Sequence, residues 1–178
     1  MVTDYFKTQL KKAEDGDALS QLKVGFMYET GDGVAKDQME ALKWYRRSAE
    51  QDNTRAQFLL GARYHLGQCV ANDCREAMKW YRLAAERGDM HAQAALGMCY
   101  EEQDIDESAK WYRLAAEQGH REAQASLGVM YSTGRGVRQD YAESVTWCRK
   151  AATQGHLTAQ TVLYMCYQDG QGVDDRTD

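Results

Sequence analysis

Four times along the chain an aspartate is followed three residues later by a glutamate: Asp37 and Glu40, Asp73 and Glu76, Asp104 and Glu107, Asp140 and Glu143. Two carboxylates held together can divide the work of general acid and general base. That chemistry needs one shared pocket that pushes their pKa values apart. Four equivalent copies, each ahead of an apolar run, fit a simpler reading. An aspartate just before a helix accepts from an unpaired backbone N–H of the first turn, and a glutamate three residues on reaches back to the cap residue. The carboxylate pairs are therefore expected to start helices, and no catalytic residue is assigned.

Other residue types with chemical potential give as little. His65, Cys69 and Cys74 come nearest to a metal set, but a tetrahedral site wants a fourth ligand and tighter spacing, so no metal or other cofactor is expected. Five cysteines is an odd number in a chain large enough to build its own core, and buried thiols are expected. Cys69 and Cys74 would pair only in an exported protein. Gly31-Asp-Gly33-Val34 and Gly134-Arg-Gly136-Val137 resemble phosphate-cradling loops, yet they lack the Lys-Ser/Thr of such a loop and follow no strand. They read as turns. His120 and His156, each just after a glycine, read as solvated turn residues. No nucleophile elbow, metalloprotease helix or dinucleotide fingerprint occurs, and the chain is not expected to be an enzyme; a hydrolase or transferase with an unrecognised site is the remaining alternative.

The elements that carry these residues repeat. Tryptophans stand at 44, 80, 111 and 147, glycines at 25, 61, 97 and 128, and tyrosines at 28, 64, 100, 131 and 167. The spacing is 36 residues throughout, apart from one deletion of five between Tyr100 and Trp111. Each unit has a first half, Ala-Gln-x-x-Leu-Gly-x-x-Tyr, in which Ala56, Leu60 and Tyr64 share one helical face. Its second half, Asp-x-x-Glu-small-x-x-Trp-Tyr-Arg-x-Ala-Ala, ends at Gly16, Gly88, Gly119 or Gly155, or at Asp52, where a left-handed residue closes the helix. The central glycine is expected to face a small residue, Ala41, Ala77, Ser108 or Ser144, so that the two helix axes come close. Tyr164 replaces it in the last copy and is expected to cover an exposed edge. The reading is one repeat domain over 1–178: a leading half-repeat 1–16, full repeats 17–52, 53–88, 89–119 and 120–155, and a trailing half-repeat 156–178.

Composition agrees. There is no proline, 43% of residues are hydrophobic and 28% charged, which excludes a disordered chain and favours helices. The net charge of −5 comes with bases and acids interleaved, so no nucleic-acid partner is expected. No apolar run is long enough for membrane insertion. Localisation reads as cytoplasmic as the sequence stands, and periplasmic or secreted if a leader was removed.

These motifs resemble the Sel-1-like repeat family, relatives of the tetratricopeptide repeats, over nearly the whole chain. The resemblance implies an all-α fold, a right-handed α/α solenoid of about ten antiparallel helices, and an adaptor or scaffold role in protein complexes, bacterial members often serving envelope, secretion or host-contact processes. A cysteine-rich branch of the family is excluded, because Ala49 and Ala56, Ala85 and Ala92, and Ala116 and Ala123 stand where its cysteines belong. The third unit lacks the glycine loop, so its turn must be tighter, and Cys69 replaces a loop glycine in the second.

In related repeats the first helices line a concave face whose outward positions read a bound peptide. By register one row is Phe26, Ala62, Met98, Val129 and Met165, and a second is Leu22, Phe58, Ala94, Ala125 and Thr161. Glu29, Arg55, His65, His91, Glu101 and Gln168 flank them. Phe26 and Phe58 are the expected anchors of a protein or peptide ligand, with some of the apolar positions simply packing between neighbouring helices. Two alternatives stand beside this adaptor reading: an inhibitor or immunity-type protein blocking one dedicated bacterial effector, and a structural protein that self-associates weakly through its repeat ends.

Overall fold

The computed structural model describes residues 2–67 and 73–172; readings that involve Cys69 lie outside them. Among the described residues there are ten α-helices and no strand. The chain divides into two compact units, Met1–Asp89 and Met90–Asp178. The first contains α1 (Asp4–Glu14), α2 (Ala18–Thr30), α3 (Gln38–Glu50), α4 (Thr54–Leu66) and α5 (Cys74–Glu86). The second contains α6 (Met90–Tyr100), α7 (Ile105–Glu117), α8 (Arg121–Thr133), α9 (Tyr141–Thr153) and α10 (Leu157–Gln168). Within each unit every helix packs on the next in sequence. None of the described helices is long and apolar enough to cross a membrane.

The four aspartates do cap helices. Asp37 accepts from the N–H groups of Met39 and Glu40 at 2.9 and 3.0 Å, and Asp73 and Asp104 accept from Glu76 and Glu107 at 3.0 Å. The reciprocal half of the expected box is absent among the described bonds. The cap residue's own N–H is already taken by the carbonyl of the first-helix tyrosine: Asp37 by Tyr28, Asp73 by Tyr64, Asp104 by Tyr100 and Asp140 by Tyr131. With no donor to reach back to, the glutamates turn outward. Glu40, Glu76 and Glu107 pair with Lys43, Lys79 and Lys110, and Glu143 accepts from the Trp147 indole at 3.0 Å. The shortened third repeat keeps the same tie. Its tyrosine carbonyl meets the cap N–H after four residues instead of nine, at 2.8 Å, which is the tighter turn expected.

The central glycine of each first helix lies against the following helix, but chiefly against an aromatic ring. A Cβ on Gly25 would stand 2.7 Å from the Tyr45 ring and 3.2 Å from the Ala41 carbonyl; on Gly61 it would stand as close to Tyr81 and the Ala77 carbonyl. The small residue permits backbone approach, and the tyrosine of Trp-Tyr fills the space the glycine leaves. At Gly128 the tyrosine is replaced by Cys148, whose sulfur occupies that space.

A ladder of glutamines joins successive repeats. Gln21, Gln57 and Gln124, buried on α2, α4 and α8, donate to the carbonyls of Ala13, Ala49 and Ala116 at the end of the preceding helix. The amide oxygens of Gln21, Gln93 and Gln124 then accept from Gln51, Gln118 and Gln154, at 2.7, 2.7 and 2.9 Å. The arginine two residues after the tryptophan binds the next repeat's tyrosine hydroxyl: Arg46 to Tyr64, Arg113 to Tyr131, and Arg149 to Tyr167 at 3.0 Å. Within each unit, ladder and clasp tie one repeat to the next.

Candidate functional site: a groove on the first-helix face

In the first unit, α2 and α4 frame a groove of about 500 Å³, with Tyr5 of α1 at one side. Leu19, Leu22, Phe26 and Leu59 make it mainly apolar. Phe26, Tyr5 and Leu19 are 55%, 58% and 53% exposed, unusual for large apolar side chains held on ordered helices. Lys23, Glu29, Asp32 and Arg55 edge it. Glu29 is tied down: it accepts from the Tyr45 phenol at 2.5 Å and pairs with Arg63. Burial, and then the bond to Glu29, pushes the Tyr45 phenol well above the ordinary tyrosine range, so it stays a donor at any physiological pH. Lys23 and Arg55 have no carboxylate partner among the described residues; Arg55 lies over the Phe58 ring at 5.4 Å.

In the second unit, a cavity of about 350 Å³ lies along α8 and reaches the start of α10. It holds the same register as the groove. Counted from Gly25 and Gly128, Leu19 matches Glu122, Leu22 matches Ala125, Lys23 matches Ser126, Phe26 matches Val129 and Asp32 matches Arg135. Counted from Gly61 and Tyr164, Arg55 of α4 matches Thr158 of α10. One position of the repeat thus forms a pocket in each unit, with different chemistry. Glu122, bonded to Arg121 at 2.6 Å, is held below the usual carboxylate range by that guanidinium. Glu101 accepts from the Tyr112 phenol, whose pKa is raised by burial and then by that bond.

The structure brings four of the expected site residues together, Leu22, Phe26, Glu29 and Arg55, in the first groove. Val129 lines the second cavity. Phe58 is not the free anchor expected: it is half-buried, its ring 5.9 Å from that of Tyr81. His65 also lies against Tyr81, and Ala62 is half-buried beside it on α4. Ala94 and Ala125 of the second row are buried in the core. His91 is exposed and meets the His120 ring edge-on at 5.2 Å, while Met98 and Met165 are exposed outside the cavity. Tyr164 leaves 64% of its surface in solvent.

His120 and His156 are helix caps rather than solvated turn residues. Their Nδ1 atoms accept from Ala123 and Ala159 N–H at 3.3 Å, which requires Nδ1 to carry no proton. The sequence reading missed Tyr5, Leu19, Lys23, Met27, Asp32 and Leu59 as lining residues; the i±3 and i±4 neighbours of Leu22 and Phe26 on α2 would have found Leu19 and Lys23. No group of three or more His, Cys, Asp or Glu among the described residues is placed to hold a metal.

Comparison with known proteins bears on what such a face is for. The model of the Sel1 repeat matches residues 18–53, 54–89, 91–120 and 121–156. A protective antigen of uropathogenic Escherichia coli displaying an SLR fold is 42% identical, with a TM-score of 0.91 over 94% of this chain and 37% of that one. A Sel1 repeat protein from Oxalobacter formigenes is 34% identical, with a TM-score of 0.83 over 90% and 68%. An immunity protein from Pseudomonas aeruginosa, 19% identical with a TM-score of 0.55 over 92% and 71%, shares the fold alone. Comparison with curated proteins gives no match. The chain spans little more than a third of the E. coli antigen and about two thirds of the Oxalobacter protein. Sel1 repeat proteins generally mediate protein–protein interaction. With four repeats in register over well more than half of its length, the chain belongs to the Sel1 repeat family.

Proposed function

We propose that the chain is a non-enzymatic interaction module that holds a protein or peptide segment on its first-helix face, principally in the groove of the first unit. One observation carries this reading: Phe26 stands 55% exposed on an ordered helix, in a mainly apolar groove of about 500 Å³. Large aromatic side chains held in solvent beside a concavity are what an interface core looks like before its partner arrives. Family membership supports it, since these repeats form a non-catalytic interaction scaffold family.

Affinity capture from a native lysate, with wild type beside Phe26→Asp, tests the reading. Because Phe26 is exposed, the variant should keep the helicity of wild type by circular dichroism. Phe58→Asp would be a poor probe, since it would strip a ring from Tyr81. Partners held by wild type and lost by the variant are expected. Several lost together would mark an adaptor; one stoichiometric and toxic partner would mark an inhibitor. Equal retention by both chains would remove the groove from the function.

A further inference from the structure

The matched pockets of the two units differ in their free charges. In the first, Lys23 and Arg55 are cations without a carboxylate partner among the described residues, and Glu29 is already neutralised by Arg63. Among the described residues Asp32 is the one other acid at that rim, so the free charge is positive on balance. In the second, Ser126 and Thr158 hold the positions of those two cations, and Arg135 stands where the first has Asp32. The floor changes in the same sense, from Phe26 to the smaller Val129. Resting on the reading that the first groove binds a segment of another protein, we propose that its occupant is a peptide segment in which a bulky apolar side chain is flanked by aspartate or glutamate. The apolar side chain stacks on Phe26 between Leu19 and Leu22, and the flanking carboxylates meet Lys23 and Arg55. Arg55 suits the role, since its contact with Phe58 holds the guanidinium in place before anything binds. Ser126 and Thr158 offer no charge at the two positions that meet the flanking carboxylates, and Glu101, held by a phenol and not by a cation, adds an acid to that lining, so the second cavity is the poorer site for the same segment despite Arg135. Lys23 and Arg55 are thus specificity-determining residues of the groove.

The test is selection of a phage-displayed library of random short peptides on the full chain. Enriched peptides should share an aromatic or large aliphatic residue next to Asp or Glu, and should bind more weakly as salt rises. Their affinity should fall roughly tenfold on Lys23→Glu/Arg55→Glu, two exposed positions whose reversal leaves helicity unchanged. Selection on that double variant should favour Lys or Arg as the flanking residue. Enriched peptides without acidic flanks, but lost on Phe26→Asp, would overturn the acidic class and leave the groove standing. Peptides that bind Phe26→Asp as well as wild type, or no enrichment at all, would overturn both.

Discussion

Gln57 shows how much a single position in the ladder decides. Its amide donates to Ala49 at 3.1 Å, but its buried oxygen has no partner among the described residues. Gln21, Gln93 and Gln124 each receive a bond from a glutamine at the end of the next second helix, and at that place after Gln57 the chain has Arg87. Arg87 reaches Asp52 at 2.6 Å instead. A buried acceptor left unpaired costs about 1–3 kcal/mol, whereas an exposed ion pair contributes at most about 1 kcal/mol. Arg87→Gln is therefore expected to stabilise the protein by about 1 kcal/mol, measured as a higher urea midpoint. An unchanged or lowered midpoint would mean that the oxygen is satisfied some other way.

The helix starts separate what the sequence tells from what it hides. Asp104→Ala should cost about 1 kcal/mol, because it strands the Glu107 N–H. Glu107→Ala should cost only a few tenths, the worth of its exposed pair with Lys110. A reciprocal box would give comparable losses, so urea denaturation of the two variants distinguishes the arrangements. Helix number, helix ends and pairing were legible because each is written in short-range spacing: the Asp before the run, the glycine after it, the apolar face within it. Interactions some thirty residues apart were not, since a glutamine on α2 carries no mark that its partner is Gln51. The site divides the same way. Leu22 and Phe26 were readable by counting from Gly25, whereas the loss of Phe58 to Tyr81 depends on how α4 settles on α5.

For the molecule as a whole, buried acids govern the alkaline limit of stability. The Cys148 thiol, ordinarily near 9, is pushed up to about 11 by burial. The Tyr45 and Tyr112 phenols, ordinarily near 10, are pushed higher still by burial and by their glutamate partners. Each keeps its proton in the folded chain at a pH where the unfolded chain has lost it. The unfolded state then binds fewer protons, and stability must fall as pH rises from about 9 upward. Below about pH 8 these groups are protonated in both states and give no slope. Chemical denaturation across this range should show the decline, and Tyr45→Phe should flatten its portion above about pH 10, whatever it costs at neutrality. An unchanged slope in that variant would exclude the phenol as a source.

The connection between α6 and α7 has a practical corollary. Nine residues or four, the linkers share one tie, a tyrosine carbonyl that meets the N–H of the next cap. Past Glu101, which holds the Tyr112 phenol, the exposed Glu102 and Gln103 are interchangeable cargo. Tyr100 to Asp104, already pared to the minimum, is the natural port for splicing in an epitope or reporter sequence, with both flanking helices left to fold as they do now.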